Sequence, residues 1–173
     1  MRSGNIIAYI LYFVLFFLLQ IIFFRNVLLF DYALCFVYIG YILILPIDIK
    51  PIPLMLIAFG FGLLMDSFFD TVGINAFVCV LIAYIRPYIL KLLTPGGGYD
   101  AMTEISIPYM GFVWFVKYAA LLIFIHHFIF FILEAWDIAF FLDVFIRSVL
   151  SSIFTLLVIV LLQYLFNSQI GKR

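Results

Sequence analysis

Asp66 is the residue with the most chemistry open to it. Ala58, Gly62 and Asp66 recur every four residues, so they share one face of any helix that contains them, a strip of small side chains ending in a carboxylate. Facing the interior of an apolar bundle, that carboxylate would need a partner and would mark a site; facing the headgroup region, it would cap the outer end of its helix. Both readings stay open on the sequence. Gly73 follows a sharp turn and opens the next apolar stretch, with Asp70 and Thr71 placed to accept from its first free amides. Arg86, Pro87 and Lys91 precede the loop TPGGGYD, Thr94 to Asp100. This positive charge beside Gly96, Gly97 and Gly98 reads either as a topological anchor or as a docking surface for a cytoplasmic partner or anionic lipid.

Other candidates carry less. His126 and His127 are adjacent, so on a helix they point about 100° apart and do not share one ligand well. Asp143 and Arg147 stand one helical turn apart and can pair. Cys35 and Cys79 lie in apolar stretches with no CxxC spacing and no histidine cluster, as small buried residues do. No Lys-Ser or Lys-Thr follows the glycines of the loop, and neither HExxH nor GxSxG occurs. Neither an enzyme, nor a metal, nor a cofactor is expected. Nine basic and nine acidic side chains cancel, which gives no reason to expect nucleic acid as a partner.

The elements that must position these residues are set by composition. Of 173 residues, 69% are apolar and only 10% charged, with 23 Phe and 11 Tyr. A soluble domain of this size has no interior large enough for that surface, so lipid must be its solvent. Charged and turn-forming residues divide the chain into six apolar stretches, at about 5–24, 32–47, 51–66, 73–93, 108–133 and 141–166. The expectation is an all-α integral membrane protein, a single compact bundle of six transmembrane helices. Pro51 and Pro53 suit the first turn of the third. Arg2 ahead of the first stretch suggests a signal peptide, but the apolar run is too long and Arg25 and Asn26 follow it where a cleavage site would need small residues. With the N-terminus inside, Arg2, Lys50, Arg86, Lys91, Lys117, Lys172 and Arg173 fall on or near the cytoplasmic side and only Arg25 and Arg147 toward the outside. That bias puts both termini in the cytoplasm. Trp114 and Trp136 fall near the two interfaces.

The stretch Gly62 to Asp66 (GLLMD), the following Gly73, the run Asn75 to Tyr84, and Arg86 to Asp100 (RPYILKLLTPGGGYD) resemble the MreD family of rod-shape-determining inner-membrane proteins, in its Bacteroidetes-like version. The resemblance implies a six-helix fold similar to the substrate-binding subunits of energy-coupling-factor vitamin transporters, serving as a non-enzymatic scaffold for cell elongation and lateral peptidoglycan synthesis. It implies MreC, a single-pass membrane protein, as partner, and the MreB filament, RodA and its transpeptidase partner as direct or indirect associates, with membrane lipids around them. The family offers no agreed catalytic residues to carry over. Ala58, Gly62, Asp66 and Gly73 form the expected partner or packing face.

Two other functions compete. A vitamin-type uptake subunit would share the layout, but such subunits usually carry an Ala-xxx-Ala strip on helix one, and here Ala8 is followed four residues later by Tyr12. A lipid or ion carrier would need buried charge along a continuous path, and Asp66, Lys117 and His126 stand at different depths.

Overall fold

Prolines and glycines punctuate the chain as they should, but one apolar stretch does not become a transmembrane helix. The computed structural model of the protein describes residues 3–30, 32–99, 104–136 and 140–167. Arg2, Asp100, Lys172 and Arg173, which enter the expectations on orientation and loops, lie outside the described residues.

Helix α1 spans Ser3–Leu18 and runs on as a π-helical segment, Leu19–Phe24. After a two-residue antiparallel ladder between β1, Leu28–Leu29, and β2, Ala33–Leu34, comes the short α2, Ile39–Ile44. Helix α3, Pro51–Phe69, starts at its proline and ends at Asp70 in the left-handed region. Gly73, at φ +82°, supplies the backbone geometry that starts α4, Ile74–Leu92. Gly111, at φ +81°, divides α5, Ile107–Met110, from α6, Phe112–Ala135, so the expected fifth helix is broken near its start. Helix α7 spans Phe141–Asn167.

Five stretches among the described residues are long and apolar enough to cross a membrane: Ile6–Phe24, Pro51–Phe69, Ile74–Leu92, Phe112–Ala135 and Phe141–Phe166. This is the mostly helical architecture of a multi-pass membrane protein, with five such helices rather than six. The second expected helix, 32–47, is an extended run followed by the six residues of α2, and nearly all of it is buried. Its neighbours explain how this irregular backbone persists. Non-helical backbone survives at membrane depth only where protein meets its N–H and C=O groups, and polar side chains from four surrounding helices do so here.

Helices α3 and α4 make the closest approach. A Cβ on Gly62 would stand 2.5 Å from Ala76 Cα and 2.7 Å from Asn75 O, so the missing side chain is what lets the two backbones touch. Phe16 of α1 fills the matching gap over Gly40 of α2. The first and last long helices come together at one end of the bundle, where Tyr9 of α1 and Gln163 of α7 line a common cavity. This is called the termini end below; the turn between α3 and α4 lies at the opposite end.

Candidate functional site

The second apolar stretch, residues 32–47, organises the buried polar residues. Near the start of α7, the Tyr32 hydroxyl donates to the Asp143 carboxylate, a bond that raises the Tyr32 pKa above the ordinary phenol value. About two turns further along α7, Leu34 N–H donates to Ser151 Oγ at 3.0 Å and Phe36 N–H to Thr155 Oγ1 at 3.1 Å. Gln20, turned inward by the π-helical end of α1, donates to Cys35 O at 3.1 Å and accepts from Tyr38 N–H at 3.3 Å. Thr155 hands its own proton to His127 Nε2 at 3.1 Å, while His127 Nδ1–H donates to Ile123 O at 2.8 Å. The donors and acceptors balance with His127 neutral.

A second chain runs from the α3–α4 turn to the centre. Asp66 is buried, and its Oδ1 accepts from Thr71 Oγ1 at 2.5 Å, Asn75 N–H at 2.9 Å and Asn75 Nδ2 at 3.1 Å. Its Oδ2 accepts from Ala76 N–H at 2.9 Å. A carboxylate on one helix thus caps the first-turn amides of the next, where the helix dipole also favours negative charge. The expectation that Asp70 and Thr71 would accept from those amides is corrected: Asp66 takes them, and Thr71 is itself a donor to Asp66. Asn75 Oδ1 accepts from the Tyr38 hydroxyl at 2.7 Å, and that hydroxyl lies 2.8 Å from His126 Nε2. With the Tyr38 proton directed to Asn75, His126 Nε2–H donates to Tyr38, and His126 Nδ1 is left with no hydrogen-bond partner among the described residues.

Arg86 sits at the other end of the segment and is 1% exposed. Its Nε donates to Tyr118 Oη at 2.8 Å, and its guanidinium reaches Leu45 O and, at 3.3 Å, Pro46 O. Tyr118 in turn donates to Leu43 O at 3.1 Å. These are the carbonyls that the end of α2 leaves open, and a fork of five N–H donors is suited to collecting them. Arg86 is therefore not available as a docking residue. Lys91 and Gly96, Gly97 and Gly98 are exposed.

Two further placements differ from expectation. Arg147 pairs with Glu134 at 3.3 Å and lies over the Phe131 ring at 4.6 Å, because Asp143 is taken by Tyr32. Ala58 and Gly62 are covered by packing within the bundle, Gly62 directly by the α4 backbone, so a partner helix cannot reach them. Asp66 and Gly73 join this packing at the α3–α4 turn and do not come together with Arg86. Lys117 is exposed on α6 and Trp114 Nε1–H donates to Leu93 O at 2.7 Å.

Gln20, Tyr38, Asn75, Tyr118, Ser151 and Thr155 were not singled out by sequence reasoning, yet they hold the segment. The signal for them was present. Ser148, Ser151 and Thr155 fall on one face of α7 and are fully buried, and a polar stripe turned inward in an apolar helix announces backbone that needs partners. No protein-family model, curated protein or solved structure matches the chain, so the family resemblance rests on the residues that carry it.

Proposed function

We propose that the chain is a non-enzymatic membrane scaffold of the bacterial cell-elongation machinery, similar to MreD, held in the inner membrane with both termini in the cytoplasm and engaging MreC. The observation that carries this reading is the use made of the buried polar side chains. Asp66, Arg86, Gln20, His127 and Thr155 are all bonded to the fold itself, four of them directly to backbone of a neighbouring segment. Such a core favours one rigid shape, which suits a protein whose work is to hold others in place.

With Ala58 and Gly62 enclosed, the partner surface moves to α1. Only 11% of its apolar window is buried, against 33–44% for the other long helices, and Ile7, Ile10, Leu11, Val14 and Leu18 face outward. A single-pass helix laid there would cover the least protected part of the bundle. The exposed loop around Lys91 and the three glycines is the corresponding cytoplasmic surface.

The test is co-purification from native membranes in mild detergent with identification of bound proteins by mass spectrometry, comparing the native chain with Leu11→Trp/Val14→Trp and with Leu157→Trp on the outward face of α7. Recovery of MreC with the native chain and the α7 variant, and its loss with the α1 variant, supports the proposal. Recovery of an ATP-binding-cassette module or a vitamin in its place overturns it in favour of an uptake subunit.

A further inference from the structure

We propose that the cavity between α1 and α7 at the termini end binds the ammonium headgroup of a membrane lipid. The cavity measures about 180 Å³ and is lined by Tyr9, Tyr12 and Phe16 of α1, Gln163 of α7, and Glu104 and Ser106 from the segment ahead of α5. It is smaller than the ~300–1,000 Å³ of sites for drug-sized ligands and fits a headgroup rather than a whole lipid.

Two independent features point to an occupant. Ser106 is 6% exposed, yet its Oγ has no hydrogen-bond partner among the described residues, a state that native interiors rarely tolerate. Glu104 is an exposed carboxylate with no cation paired to it among the described residues, where the one ion pair is Arg147 with Glu134. Glu104 lines the same cavity as Tyr9 and Tyr12. The nearby cation, Arg86, is held by Leu45 O, Pro46 O and Tyr118.

The tyrosine rings stand 6.4 Å apart at 61°, forming an aromatic corner beside the unpaired carboxylate. Ring faces carry negative potential, and with a carboxylate beside them they select a cation. Ser106 Oγ can accept one ammonium N–H or donate to the adjoining phosphate. Leu161, 62% exposed on α7, offers apolar surface for the acyl chains. The occupant is therefore an aminophospholipid, with the ammonium inside and the chains along the outer face of α7. This inference does not depend on the scaffold reading.

The test uses the full chain, purified in detergent and delipidated, then mixed with equal amounts of phosphatidylethanolamine and phosphatidylglycerol carrying the same acyl chains, with retained lipid counted by native mass spectrometry. Phosphatidylethanolamine should be preferred about tenfold, as a partly desolvated cation site allows. Glu104→Gln should bring the ratio to parity and Ser106→Ala should lower it, with lipid-free melting temperatures unchanged; Tyr12→Leu gives the same reading if Glu104→Gln does not fold. Equal retention of the two lipids by the native chain, or a preference that survives Glu104→Gln and Tyr12→Leu, overturns the site. Displacement of the bound lipid by millimolar free ethanolamine overturns the lipid as occupant and assigns the cavity to soluble amines.

Discussion

Asp66 meets four donors with two oxygens, and two of those donors are amides that no residue of α4 itself satisfies. The placement explains why a charge can stand inside an apolar bundle: it is opposed by the partial positive charge of a helix start and by neutral N–H and O–H groups aimed at it. Asparagine has nearly the same shape but turns an NH₂ toward one set of donors, so Asp66→Asn leaves either the Ala76 amide or the Thr71–Asn75 group without an acceptor. Loss of a cap together with a charge-assisted bond should lower stability by about 2 kcal/mol. Unfolding of the purified protein by sodium dodecyl sulfate titration in mild detergent measures it. An unchanged midpoint would show that the carboxylate's bonds do not hold α4 in place. Arg86 serves the opposite helix end by the same logic, drawing together the carbonyls at the end of α2.

Between elements, α3 and α4 depend on one another through four residues of sequence. Gly62 allows the contact, and Asp66, one turn later, exploits it to cap α4. Gly60 lies two positions away on the same helix with open space where a Cβ would go. The two glycines should therefore respond to alanine with opposite signs. Gly62→Ala forces a methyl into the α4 backbone and should destabilise by about 1–3 kcal/mol, whereas Gly60→Ala should be neutral or stabilising by about 0.5–1 kcal/mol through helix propensity. Equal melting temperatures for the two variants would sink this account of the interface. The start of α3, the turn at Gly73 and the bounds of α7 could be read from the chain because Pro51, Gly73 and flanking polar residues punctuate it. The 32–47 stretch could not. A run that is apolar on all sides has no polar face to give a period, and fully buried extended chain and buried helix then look alike. Its true state was written instead in its neighbours, in Gln20 and in the serine and threonine stripe of α7.

The whole molecule follows from what that stretch does between its ends. It leaves Asp143 at the start of α7, passes Ser151, Thr155, Gln20 and Asn75, and arrives at Arg86 and Tyr118. Residues 33–36 in extended form rise roughly 13 Å, and the turn at Val37 and Tyr38 with the six residues of α2 adds about 12 Å, together about 25 Å against the ~30 Å of a bilayer's hydrocarbon. The proposed topology counts this irregular pass beside the five long helices, giving six crossings with both ends on one side, and the cavity that Tyr9 and Gln163 share supports that reading. In the proposed topology that side is the cytoplasm, as the lysine and arginine bias predicts. In spheroplasts, Val72→Cys, placed at a fully exposed turn position at the opposite end, should react with a membrane-impermeant maleimide, and Gly97→Cys should react only after permeabilisation. Native Cys35 and Cys79, both buried, should stay unlabelled in either case until the protein is denatured, so no cysteine-free background is needed. Tags at the two termini should both resist protease added outside. If one tag is cut and the other protected, the number of crossings is odd, and residues 32–47 then enter and leave the bundle on the same side instead of traversing it.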